Sequence, residues 1–152
     1  MRFEPTRNYG LIRGILTHPA IFRHVTDDAA PAPADFRPNE DERIIYLLAW
    51  DGAELLGLVM FVPQGAVCLD VHVAFLPTAW GERAHDAMRG AVAWAFVHTG
   101  CARIVGAVAV SNPLAIAFAK STGFAEWGRN PSSFLKNGKL RDVIHLGISR
   151  KE

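Results

Sequence analysis

Cysteine is scarce in this chain of 152 residues: there are two, Cys68 and Cys101. They lack metal-ligand spacing and are too few for a disulfide frame, so both read as buried thiols of a reducing compartment. An excess of either charge is also missing. Sixteen Lys plus Arg against fifteen Asp plus Glu leave a formal charge of +1, and such a balance exerts no overall pull toward nucleic acid or an anionic membrane. Neither is expected as a partner. No apolar run reaches the roughly 18 residues that would span a bilayer; the long alanine-rich stretch is interrupted by His85, Asp86 and Arg89. The opening MRFEPTRNYG carries charges and a proline where a secretory leader needs an apolar core, which predicts a cytoplasmic chain. Internal repeats are absent from the sequence.

What is present is core. Half of the residues are hydrophobic, and a single domain over 1–152 of this size buries about 68–70% of its unfolded surface. Leu11, Ile12, Ile15 and Leu16 fall at helical spacing. Ile21, Phe22 and Val25 follow after THP, where Thr17 is placed to cap and Pro19 to open a second helix. The acidic, proline-bearing run DDAAPAPADFRPNEDE, residues 27–42, is expected to be a lid or a connecting loop. RIIYLLAWDGAELLGLVMFVPQGAVCLDVHVAF then reads as three strands, turning at Asp51-Gly52 and at Pro63-Gln64-Gly65. A helix from about Gly81 to His98 and a strand over 102–110 come next. A short helix follows, capped by Ser111 or Asn112, with Pro113 at its first position and Gly123 as its stop. Two final strands turn at Asn137-Gly138. The order α-α-β-β-β-α-β-α-β-β places the chain in the α/β class, as an α+β mixed sheet with one parallel crossover near its middle.

The strand-to-helix junction FLPTAWGERAHDAM, residues 75–88, is where chemistry is expected. A helix N-terminus offers unpaired N–H groups and the positive end of a dipole, which together suit an anion. The plainer alternative makes PTAWGERA a helix start with Trp80 as a packing anchor. In VCLDVHVAF, alternation puts Val67, Leu69, Val71, Val73 and Phe75 on one face and Cys68, Asp70, His72 and Ala74 on the other. Asp70 and His72 therefore stand side by side just before the junction, as a candidate base and its partner. Equally open is a structural His72, half-buried under a helix. His18, His24 and His145 form no metal-ligand set, and Trp50, Trp94 and Trp127 read as core or edge aromatics.

The run VHVAFLPTAWGERAHDAMRGAVAWAF, with ARIVGAVAVSNPLAIAFAKSTGFAEWG after it, resembles the GNAT N-acetyltransferases over nearly the whole chain. THPAIFRHVTDD, LPTAWGERA and KNGKLRDVIHLGISR are further similar to GNAT-like proteins of tailed phages and prophages. The resemblance implies the GNAT fold with a central splayed parallel strand pair, acetyl-CoA as the acyl donor, an amine acceptor, and the cytoplasm of a bacterium or of a phage-infected host. A homodimer is compatible with it. It implies that the backbone of Val73, Ala74 and Phe75 meets pantetheine. The diphosphate would lie on the loop Trp80, Gly81, Glu82, Arg83, Ala84 and His85, and the cofactor would run beside Asn112, Ala115, Phe118 and Lys120. Two departures stand out. Arg83 and His85 replace small residues of the family's loop pattern R/Q-x-x-G-x-G/A, Arg83 adding a charge that would compensate. Ala119 and Ala115 occupy the positions where relatives carry a Tyr or Ser acid. The implied activity is N-acyl transfer to an amine; the alternative is a GNAT-like module that binds CoA, or a phage partner, without catalysis. The acidic loop at 27–42 would either draw a cationic acceptor or be, as is commoner, simply a solvated loop.

Overall fold

Apolar residues alternate through 45–75, and in the computed structural model, which describes residues 1–151, they form the middle of a mixed sheet. Its strands are β1 (Arg2–Pro5), β2 (Ile45–Asp51), β3 (Glu54–Pro63), β4 (Cys68–Phe75), β5 (Arg103–Ala109), β6 (Ala125–Lys136) and β7 (Lys139–Ser149). They lie in the order β1-β2-β3-β4-β5-β7-β6. Every neighbouring pair is antiparallel except β4 and β5. The helices are α1 (Tyr9–Leu16), α2 (Pro19–Val25), α3 (Glu82–Thr99) and α4 (Pro113–Ser121). The expected order is therefore corrected by one element, the four-residue edge strand β1, which is too short and too charged to show a period of two.

Three layers result. Ala84, Ala87, Met88, Ala91, Val92 and Ala95 line one stripe of α3 and bury against Leu47, Val59, Phe61, Ile104, Ile144 and Leu146 of the sheet. Alanines at that spacing bring the helix close to the strands. Gly90 extends the same logic, since a Cβ there would stand 2.6 Å from Cε2 of Phe3 on β1. On the opposite face Ile12, Ile15 and Ile21 of α1 and α2 pack on Tyr46, Leu48, Leu58 and Ala74. Each fully buried isoleucine contributes about 1.5–3 kcal/mol. Those two helices cover only the left half of their face, over β2, β3 and the end of β4. Among the described residues, the half formed by β5, β7 and β6 carries no helix there.

Local chemistry departs from expectation at two places. His18, not Thr17, caps α2, its Nδ1 accepting from the Ala20 N–H at 3.1 Å. Thr17 instead closes α1, its hydroxyl donating to the Arg13 carbonyl. The acidic loop is a fastened connection and not a lid: Arg13 donates to the carbonyls of Pro33, Ala34 and Phe36, Arg7 to those of Asp41, Glu42 and Ile44, and Tyr46 to that of Asn39. Asp41 is in turn taken by Arg43, whose guanidinium holds its carboxyl down at about 2.

Candidate active site

The parallel pair β4/β5 stays together only over Cys68↔Arg103, Leu69↔Ile104 and Asp70↔Val105. Beyond that the strands pair no further, although β4 continues to Phe75 and β5 to Ala109. Which backbone groups face the fork follows from the antiparallel ladder with β3. Leu76 N donates to Leu56 O at 2.8 Å and Gln64 N to Cys68 O at 2.9 Å. Such bonds recur at every second residue pair. With Leu58 opposite Ala74 and Met60 opposite His72, the backbone groups of Asp70, His72 and Ala74 turn to β3, and those of Val71, Val73 and Phe75 turn to β5. Of the three residues expected to meet pantetheine, Ala74 is therefore corrected. Its carbonyl lies so near β3 that a Cβ at Gly57 would collide with it. Val71, which sequence reasoning passed over, stands at the vertex. Only the parity of the β3 register could have found it.

At the open end of the fork the chain makes a 3-10 turn, Pro77–Ala79, and enters α3. Gly81 is the N-cap at φ 102, ψ −140, a conformation that suits glycine and leaves no side chain over the helix end. The N-cap makes no side-chain hydrogen bond, so the first-turn N–H groups of Glu82, Arg83 and Ala84 have no side-chain cap. Trp80 is held by its indole N–H, which donates to the Phe75 carbonyl at 2.8 Å, while more than half of its surface is exposed. Arg83 does not face this opening. Its guanidinium bonds Glu54 and the Thr78 carbonyl and lies 3.6 Å from Asp51. That partnership raises its own pKa and lowers that of Glu54. The compensating charge expected at the diphosphate is therefore spent on the β2–β3 hairpin. His85 turns back on its own turn, Nδ1 lying 2.7 Å from the Gly81 carbonyl.

Across the mouth lies α4. Asn112 caps it, Oδ1 accepting from the Ala115 N–H at 3.3 Å. The ring of Phe118 lies 4.8 Å from that of His85 and 6.1 Å from that of Phe75, so the fork's end, the start of α3 and α4 share one aromatic cluster. Lys120 faces outward and pairs with Glu126 at 3.5 Å. The alanines at 115 and 119 leave this helix without an acid.

Asp70 and His72 do share a face, and their side chains meet: Nε2 of His72 lies 2.9 Å from Oδ2 of Asp70. His72 is not covered by a helix, its side chain being 56% exposed. The open half-face continues to the right of it, where Ala107 stands opposite His145 and the exposed Trp127 packs its ring 5.1 Å from that of His145. Of the two expectations for Trp127, core or edge aromatic, the structure gives the second: it is exposed on β6, an edge strand of the sheet. The long β6–β7 hairpin is tied back over this face. Lys136 donates to the carbonyls of Arg23 and Thr26, and Asp28 accepts from the N–H groups of Asn137 and Gly138 at 2.9 and 2.8 Å. Those backbone donors, Gly138 first, lower the Asp28 pKa. Among the described residues no set of three metal-ligating side chains converges, and no helix is long and apolar enough to cross a membrane.

Comparison with known proteins agrees with this geometry. The profile of the acetyltransferase (GNAT) family matches residues 6–124. Among solved structures, the spermidine N-acetyltransferase of Vibrio cholerae in complex with CoA and spermine superposes with a TM-score of 0.79 at 18% identity, over 97% of this chain and 94% of that one. A dodecameric form of the Vibrio cholerae enzyme superposes at 0.64 with 25% identity, over 72% of this chain and 66% of that one. At these identities the likeness is one of fold. No curated protein sequence matches.

Proposed function

This chain belongs to the acetyltransferase (GNAT) family, and we propose that it transfers the acetyl group of acetyl-CoA to a primary amine by direct attack. The observation that carries the reading is the fork: two parallel strands that pair over three residues and then part, with a helix N-terminus lacking a side-chain cap at the open end. Pantetheine is an extended chain with two amides, and the unpaired groups of Val73 and Phe75 offer it the ladder that β5 does not complete. The N–H groups at Gly81 to Ala84 would receive the diphosphate, as helix N-termini do. GNAT enzymes use acetyl-CoA as donor, and that substrate supplies the thioester.

The amine must arrive neutral at the carbonyl carbon. Its nitrogen bonds to that carbon, the C–S bond breaks, one amine proton leaves, and the CoA thiolate takes a proton. His72 accepts the amine proton, directly or through one water. Because Nε2–H donates to Asp70, the lone pair is on Nδ1, and the carboxylate steadies the imidazolium that forms. With Ala115 and Ala119 on α4, the thiolate is protonated by solvent. The test is a calorimetric titration with acetyl-CoA at millimolar concentration, followed by thiol release against a panel of amines. A saturable site and amine-dependent release are expected; a flat titration without thermal shift sinks the proposal.

A second reading, CoA binding without transfer, is favoured by the same two alanines and predicts saturable binding with no thiol release. A cytoplasmic setting, in a bacterium or a phage-infected host, belongs to the first reading. It is supported by two unbonded cysteines, Cys101 buried as expected and Cys68 only half-buried. A homodimer is compatible with either.

A further inference from the structure

The acceptor has to lie on the open half-face beside His72, and that face is not neutral. The strand registers place Asp70 level with Val105 and Gly147; His72 is the next residue on that face, beyond the last β4–β5 pair, and across the fork from it Ala107 pairs with His145. Arg103 belongs to the same face, two residues below Val105. Its guanidinium does not point to solvent but lies flat across β7, where a Cβ at Gly147 would stand 2.7 Å from Cζ and 3.2 Å from Nε. The missing side chain at 147 makes the shelf on which it rests. Its side-chain hydrogen bond goes to Ser149 Oγ at 3.0 Å, and no carboxylate among the described residues pairs with it. This is a positioned guanidinium with unused donors, two strands across from Asp70.

We infer that the acceptor is an amine that also carries a carboxylate, an ω-amino acid or a chain of that length, and that Arg103 takes the carboxylate while the amine faces His72 and Asp70. The inference rests on the transferase reading. Charge complementarity favours it: Asp70 attracts the incoming ammonium, and Arg103 offers a planar fork suited to a carboxylate. Strand spacing sets the length. Two strands span about 10 Å, and allowing about 3 Å for a hydrogen bond at either end leaves about 4 Å between amine and carboxylate, roughly the four bonds of 4-aminobutanoate. Val105 and Ala107 floor the gap with small side chains, and the exposed ring of Trp127 walls its far side. A polycation fits poorly, because Arg103 would repel its distal end.

The experiment measures thiol release from acetyl-CoA with 4-aminobutanoate, butylamine and spermidine, in the unaltered protein and in Arg103→Met, Arg103→Lys and Gly147→Ala. The expected result is a kcat/KM for 4-aminobutanoate at least tenfold above that for butylamine. This preference collapses in Arg103→Met, survives in part in Arg103→Lys, and falls in Gly147→Ala, which keeps the charge but lifts the guanidinium off its shelf. No preference, a preference for spermidine, or a preference that persists in Arg103→Met overturns the inference. If no amine releases thiol, the transferase reading fails separately. Calorimetry of 4-aminobutanoate with the CoA-loaded protein then decides: binding lost in Arg103→Met upholds the carboxylate site, and no binding removes it.

Discussion

His72→Ala separates an enzyme from a binder, and its magnitude can be worked from the structure. The side chain is 56% exposed, so its loss removes little buried area, and surface substitutions of this kind shift stability by about 0.5 kcal/mol or less. A proton acceptor lost from the reacting centre is a different matter. General-base catalysis contributes about 10²–10⁴-fold, which at about 1.4 kcal/mol per decade is roughly 3–5 kcal/mol of transition-state stabilisation. The variant should therefore melt within a degree or two of the unaltered protein, bind CoA with nearly the same Kd, and release thiol at least 100-fold more slowly. Asp70→Asn provides the graded control. It keeps a hydrogen-bonding partner 2.9 Å from Nε2 but removes the charge that steadies the imidazolium, so turnover should fall less than in His72→Ala. The assay is thiol release at saturating acetyl-CoA, with melting temperature and calorimetric Kd measured on the same samples. Equal turnover of His72→Ala and the unaltered protein refutes the base assignment. A large drop in melting temperature with normal turnover per folded molecule returns His72 to a structural role.

Gly81→Val should weaken CoA binding tenfold or more, because a branched residue is strained at φ 102 by about 1–3 kcal/mol and covers the helix end; unchanged affinity in calorimetry would show that the diphosphate lies elsewhere. Arg83→Ala should change CoA affinity less than twofold while lowering the melting temperature, since its guanidinium serves Glu54 and Thr78; a tenfold loss of affinity would mean that it swings to the phosphates. Asp28 has a folded pKa below its ordinary 3.8, so its hold on the β6–β7 turn is complete above that value and is lost as pH falls through the folded pKa. Carboxyl NMR should show a midpoint below 3.8, with the Asn137 and Gly138 amides shifting at the same pH, and a midpoint at or above 3.8 would refute the tether.

Most of the architecture was legible because it rests on local signals. Asp51-Gly52, Pro63 to Gly65, Pro113 with Gly123, and Asn137-Gly138 fall at the observed turns and helix ends, and alternation in 68–75 assigned both faces of β4 correctly. β1 was not legible. Its pairing with β2 is long-range, and its one clue, Gly90 in mid-helix, marks the ring of Phe3 only once the two are seen together. The site shows the same division. Asp70 and His72 could be placed together from a period of two, whereas the partner of Arg83 lies 29 residues away, across a hairpin. No sequence spacing reports that distance. Likewise Gly147 reads as an ordinary strand glycine until the guanidinium of Arg103 is found lying on it.

The distribution of cations then divides the labour of the site. Around the start of α3 each cationic side chain is already engaged: Arg83 with Glu54, Arg89 with Asp86 and the Ser121 carbonyl, Lys120 with Glu126. Glu82 adds a carboxylate in the first turn of the same helix. An anion there is left with backbone N–H groups and the helix dipole, which favour it by about 0.3–1 kcal/mol when exposed. On the proposed reading the donor's hold on the protein would then come chiefly from the fork, through the backbone of Val73 and Phe75, where side-chain identity matters little. That explains how the family's loop pattern can be degraded at 83 and 85 while the fold persists. Side-chain chemistry is concentrated instead on the open half-face, where Asp70, His72 and Arg103 stand within two strands of one another. On this account selection among donors is a matter of backbone shape, and selection among acceptors is a matter of charge.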